Sequence, residues 1–95
     1  PTVAPKRGRL IPAKPLSRPV GRYPNGAPRA GGPVNVVLSL RVDQRGNVVS
    51  ARVVRGAGRL FDDAARELGR KIRFVPARRG EVAVAMSVRW TVEFR

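Results

Sequence analysis

The sequence predicts an α+β domain: a three-stranded antiparallel sheet of order two, one, three, with one main helix packed on one face and a proline-rich extended tail in front. Three observations predict it. Proline crowds the N-terminal third and is nearly absent afterwards, two regions alternate apolar and polar residues with a period of two, and a stretch between them repeats its apolar residues at helical spacing. The 95 residues leave room for one small domain and its tail, since domains commonly hold about 100 to 150 residues.

The first 33 residues hold eight of the nine prolines, seven basic residues and no acid. A proline every few residues fixes φ and removes backbone donors, which favours polyproline II geometry, and the like charges repel along the chain. A stiff, extended spacer is expected there. The sequence starts at Pro1, with neither an initiator Met nor a signal peptide, so it reads as a domain cut from a longer protein whose targeting and anchoring sequence lies elsewhere.

From Val34 onward one proline remains, Pro76, and 13 basic residues face all six acids, a balance of +7. Val34, Val36, Leu38, Leu40 and Val42 alternate with Asn35, Val37, Ser39 and Arg41, which places five apolar side chains on one face of a first strand. Asp43-Gln44-Arg45-Gly46 supplies a side-chain acceptor and a residue tolerant of positive φ, so the chain is expected to reverse into a second strand over residues 48–54. Gly56-Ala57-Gly58 then breaks the pattern. Phe61, Ala64, Ala65, Leu68 and Ile72 follow at i, i+3, i+4, i+7 and i+11, the apolar stripe of a helix. Asp62 and Asp63 stand in its first turn and Arg70 and Lys71 in its last, which complements the helix dipole, and Pro76 prevents continuation.

The last element is the most regular. Val82, Val84, Met86, Val88, Trp90, Val92 and Phe94 alternate with Ala83, Ala85, Ser87, Arg89, Thr91 and Glu93. At about 3.3 Å per residue a strand over 82–94 spans roughly 40 Å, longer than the first two strands can match, so part of it is expected to lack an internal partner. An antiparallel hairpin, a helix that returns, and a third strand give the order two, one, three, with strand three at an edge.

Composition excludes much chemistry. There is no cysteine and no histidine, which removes disulfides, thiolate nucleophiles, most zinc and iron sites and the commonest general base. Asp62 and Asp63 are neighbours pointing about 100° apart on a helix, with no nucleophile beside them, so helix-start electrostatics explain them better than acid/base work. Gly56-Ala57-Gly58 lacks the Lys and Ser/Thr of a phosphate loop. The sequence therefore predicts no enzyme, no cofactor and no metal. The formal charge of +14 points to an acidic partner surface, to solubility, or to a coding bias toward Arg, which supplies 17 of the 20 basic residues. Nucleic acid is not expected: Tyr23 is the one aromatic residue of the basic tail, and the polar face of the last strand offers Ala83, Ala85, Ser87 and Thr91 with no stacking platform.

An edge strand is either blunted or used, because its unpaired N–H and C=O groups accept any extended peptide of suitable shape. Arg89, Glu93 and Arg95 fit a protected edge. Strand addition by a partner fits an edge that is long, proline-free and near the C-terminal end of the sequence. Trp90, on the apolar face with Met86 and Val88, reads as core before it reads as a recognition residue, whereas Tyr23 reads equally as a partner contact or as packing.

The ordered set Arg22-Tyr23-Pro24, Ala27, Gly31, the alternation from Val34 to Val42, then Asp43, Gly46 and Val48 resembles the opening of the TonB C-terminal domain. Phe61-Asp62, Ala64-Ala65, Ile72-Arg73-Phe74-Val75-Pro76-Ala77 and Gly80 resemble the second half of the same family at matching spacing. The resemblance divides the chain into a basic linker over residues 1–21 and a TonB-like domain over 22–95. It implies a periplasmic energy transducer, anchored in the inner membrane by an N-terminal helix and driven through that region by ExbB and ExbD. It also implies that the domain grasps the TonB box of outer-membrane transporters by strand addition. Carried over by position, the partner-binding residues are Arg22, Tyr23 and Pro24 together with Arg89, Trp90, Thr91, Val92 and Glu93. Gly26 and Pro28 fall where the family forms a short first helix, and an interior proline costs about 3 kcal/mol, so that helix is expected to be one turn or absent. Ile72 replaces a frequent Trp, expected to be a tolerated core exchange.

Two further readings stand beside this one. A TonB-like adaptor of another envelope machine would meet peptidoglycan or another protein, and the basic tail suits an anionic cell wall equally well. The free edge also allows two copies of the chain to pair as a homodimer.

Overall fold

A computed structural model of the chain describes residues 9–27 and 31–95. Nine elements follow in order: β1 (Leu10–Ile11), β2 (Lys14–Pro15), β3 (Val34–Val42), β4 (Val48–Arg55), α1 (Arg59–Arg70), β5 (Phe74–Val75), β6 (Ala77–Arg79), β7 (Val82–Val84) and β8 (Met86–Phe94). The main sheet has the order β4-β3-β8, antiparallel throughout. Its middle strand carries the core: Val36, Leu38, Leu40 and Val42 are buried, as their alternation requires. Each such side chain contributes about 1.5–3 kcal/mol of burial, so β3 anchors the domain.

The β3–β4 reversal is built by Asp43. Its carboxylate accepts the N–H groups of Arg45 and Asn47, both at 2.9 Å, and Gly46 closes the turn at φ +85° with its N–H donating to the Asp43 carbonyl at 3.0 Å. These N–H groups, Asn47 foremost, hold the Asp43 carboxyl below its ordinary pKa. Helix α1 begins two residues ahead of its apolar stripe, where the Asp62 carboxylate accepts the Ala57 N–H at 2.8 Å. Phe61 and Ala65 are buried against the sheet, and Ile72 follows them into the core just past the helix.

Two small sheets, β1-β6-β7 and β2-β5, lie beside the main one, and they correct the expectation of a tail that only spaces. Leu10 and Ile11 pair with Arg79 and Arg78, and Lys14 and Pro15 pair with Val75 and Phe74. Between them Ala13 is buried and its N–H points to the Met86 sulfur at 3.5 Å. Two-residue strands are too short to show a period, and the prolines tolerate them because each pairing engages one side of the segment. Residues 1–8 of the expected spacer, and Pro28 of the segment where a first helix is expected to be one turn or absent, lie outside the described residues. At Pro24 the chain makes a turn, with the Ala27 N–H donating to the Pro24 carbonyl at 3.2 Å and Gly26 at φ +84°.

The expectation that part of the last strand lacks an internal partner is also corrected. The alternation continues across Ala85, but the strand changes partner there. β7 pairs with β6, and β8 pairs with β3 along its whole length, from Met86 opposite Val42 to Phe94 opposite Val34. The expectation that this strand forms an edge agrees with the order β4-β3-β8.

Candidate functional site

The open side of β8 is defined by which of its residues face it. Gly21 donates its N–H to the Glu93 carbonyl at 2.9 Å, and its own carbonyl accepts the Arg95 N–H at 3.3 Å, so Glu93 and Arg95 turn their backbone groups away from β3. By the alternation of a strand, Ser87, Arg89 and Thr91 present their N–H and C=O groups on this same side, while Met86, Val88, Trp90, Val92 and Phe94 direct theirs to β3. The side chains alternate as well: Trp90, Val92 and Phe94 are buried, and Ser87, Arg89 and Thr91 are exposed.

The residues read from the sequence as partner-binding therefore divide into two sets. Arg89, Thr91 and Glu93 carry the backbone edge. Trp90 and Val92 belong to the core by both side chain and hydrogen bonding. Trp90 meets Phe74 edge to face at 5.8 Å between ring centroids, and the Arg18 guanidinium covers its ring at 5.4 Å. Its indole N–H is buried without a hydrogen-bond partner. Ser87 was not singled out from the sequence, although its odd position in the alternation is the signal that places it on the edge.

Tyr23 reaches the end of the same strand through aromatic contacts. Its ring meets Phe61 at 5.2 Å, Phe61 meets Phe94 at 5.3 Å, and its hydroxyl donates to the Gly32 carbonyl at 2.8 Å. Tyr23, Gly31, Gly32, Pro33, Glu93 and Arg95 line an open cleft of about 480 Å³. Glu93 pairs with Arg95 at 2.9 Å on the rim of that cleft. Arg22 is exposed and Pro24 half-buried. The structure thus brings the Tyr23 segment and the C-terminal end of β8 together around one opening.

The chain is thus a small helix-on-sheet domain with a long edge strand and an aromatic residue placed beside that strand's end. Residues 19–95 match the family described as Gram-negative bacterial TonB protein C-terminal. The chain belongs to that family. No curated protein and no solved structure matches it. The family's domains are periplasmic parts of non-enzymatic transducers that interact with outer-membrane transporters. Among the described residues no helix is long and apolar enough to cross a membrane.

Proposed function

We propose that this domain captures the TonB box, a short extended segment of an outer-membrane transporter, by adding it as a fourth strand of the main sheet along the open side of β8, and that it thereby couples proton-motive force to uptake. The observation that supports this reading is the row of outward backbone groups at Ser87, Arg89 and Thr91, beside the cleft bounded by Tyr23 and Glu93. Strand addition draws affinity from the main chain and selectivity from alternate side chains. The incoming peptide meets the exposed side chains of Arg89 and Thr91 on one face and the Tyr23 cleft at its end. Force then enters through the N-terminal region, on which ExbB and ExbD act at the inner membrane. Isothermal titration with synthetic peptides from the periplasmic N-termini of outer-membrane transporters tests this. Saturable binding of one such peptide is expected, and absence of heat with every one overturns the reading.

A second reading is supported by the face of the sheet turned away from α1. Arg52 and Arg89 both stand opposite Ser39, Arg55 stands opposite Val37, and Arg41 reaches the Ser87 hydroxyl at 3.5 Å. Arg55 and Arg89 border a depression of about 350 Å³ with Val37, Val54 and Thr91. Four arginines on one face suit an anionic envelope polymer such as peptidoglycan, the adaptor role. Co-sedimentation with purified cell wall that disappears on charge reversal of Arg52 and Arg89 would favour it over transporter coupling.

A further inference from the structure

We infer that residues 18–21 are an intramolecular cover for the C-terminal end of the β8 edge, a competitor that an arriving peptide must displace, and that Pro19 keeps the cover weak. The inference rests on the peptide-capture reading and adds to it the occupant that the edge already has.

The segment is held at both ends. The Leu16 N–H donates to the Arg73 carbonyl at 2.8 Å, and Gly21 forms its pair of bonds with Glu93 and Arg95. Gly21 lies opposite Phe94 in a parallel bridge, while three residues earlier Arg18 lies over Trp90. The segment therefore runs alongside β8 and in the same direction. It reaches the strand closely because residue 21 has no side chain: a Cβ there would lie 2.5 Å from Cδ1 and 2.6 Å from Cε1 of the Phe94 ring.

The next rung of the ladder lacks one of its two bonds for a chemical reason. In a parallel pairing the next bonds after Gly21 would join residue 19 to Thr91 and Glu93, with the N–H of residue 19 donating to the Thr91 carbonyl. Residue 19 is proline and has no N–H to give. The cover thus satisfies the Glu93 carbonyl and the Arg95 N–H and leaves the edge over residues 87–91 to another strand. A peptide with a continuous set of N–H groups, laid along Arg89, Thr91 and Glu93, makes the bonds that the cover cannot. It gains the last of them by displacing Gly21.

Two substitutions in the full chain move this competition in opposite directions. Pro19→Ala supplies the missing donor and strengthens the cover, so a transporter-derived peptide should bind roughly fivefold more weakly, the worth of about one hydrogen bond. Gly21→Val drives the segment off the Phe94 ring, so the same peptide should bind more tightly than to the unaltered chain. Amide exchange at Arg95, whose N–H is held by Gly21, reads the cover without any peptide: it should slow in Pro19→Ala and quicken in Gly21→Val. Equal affinity in all three proteins overturns the cover as a competitor, and so does unchanged Arg95 exchange in Gly21→Val. Failure of every peptide to bind any of the three, Gly21→Val included, instead overturns peptide capture, so the two failures are distinguishable.

Discussion

The Phe74 N–H donates to the Gly46 carbonyl at 2.9 Å, and the two backbones approach so closely that a Cβ on Gly46 would lie 1.9 Å from the Phe74 carbonyl oxygen. One glycine thus joins the β3–β4 turn to the strand that follows the helix. Asn47 extends the junction through its bridge to Arg73.

Gly46→Ala is therefore expected to destabilise the domain by at least about 2 kcal/mol, through both the φ of +85° and the backbone collision. Chemical denaturation checks it. A midpoint equal to that of the unaltered chain would show that the turn and β5 part freely.

The parity of β8 makes a second prediction. Thr91→Pro removes an N–H that faces the open side, so the sheet should keep its circular dichroism and its melting temperature while peptide capture is lost. Val92→Pro removes an N–H that bonds β3 and should cost about 3 kcal/mol or more. If the two variants unfold alike, the assignment of odd residues to the open side is wrong.

Much of this was legible in the sequence, and the reason is periodicity. Nine residues of β3 and the stripe from Phe61 to Ile72 repeat often enough to declare their faces, and Asp43 with Gly46 declares the reversal between β3 and β4. The pairing of Leu10–Ile11 and Lys14–Pro15 with residues near 75 and 79 left no such trace, because two residues have no period and their partners are 59 to 69 positions away in sequence. The edge itself could be read from strand order. Which residues turn their backbone toward it is a matter of hydrogen-bonding parity, which the Gly21 bonds reveal; the family resemblance carries over the whole run 89–93 and so includes Trp90 and Val92 with Arg89, Thr91 and Glu93.

Tyr23→Phe keeps the ring on Phe61 and removes the hydroxyl bond to the Gly32 carbonyl. A loss of about 1 kcal/mol is expected, read from denaturation, with amide shifts confined to residues 31–33 and the rim of the cleft. Shifts spread through β3 would mean that the hydroxyl organises more than the cleft.

Acid should act on the β3–β4 turn through Asp43. Its carboxyl titrates below the ordinary value in the folded chain because the Asn47 and Arg45 N–H groups favour the charged form. A depressed carboxyl contributes stability that is present above its unfolded pKa, about 3.9, and is lost as pH falls through the folded value. Stability should thus decline below about pH 4, and Asp43→Asn should flatten that part of the profile. An unchanged acid limb in the variant would assign the decline to other carboxylates.

Whether the open side of β8 receives an extended peptide is tested most directly by a residue-resolved NMR titration with a transporter-derived peptide. The amides of Ser87, Arg89 and Thr91 should move most and become protected from exchange, while those of Val88, Trp90 and Val92, already bonded to β3, stay protected throughout. Binding that leaves Ser87, Arg89 and Thr91 unprotected, with shifts gathered instead around Arg41, Arg52 and Arg55, would contradict it and place the partner on the face of the sheet.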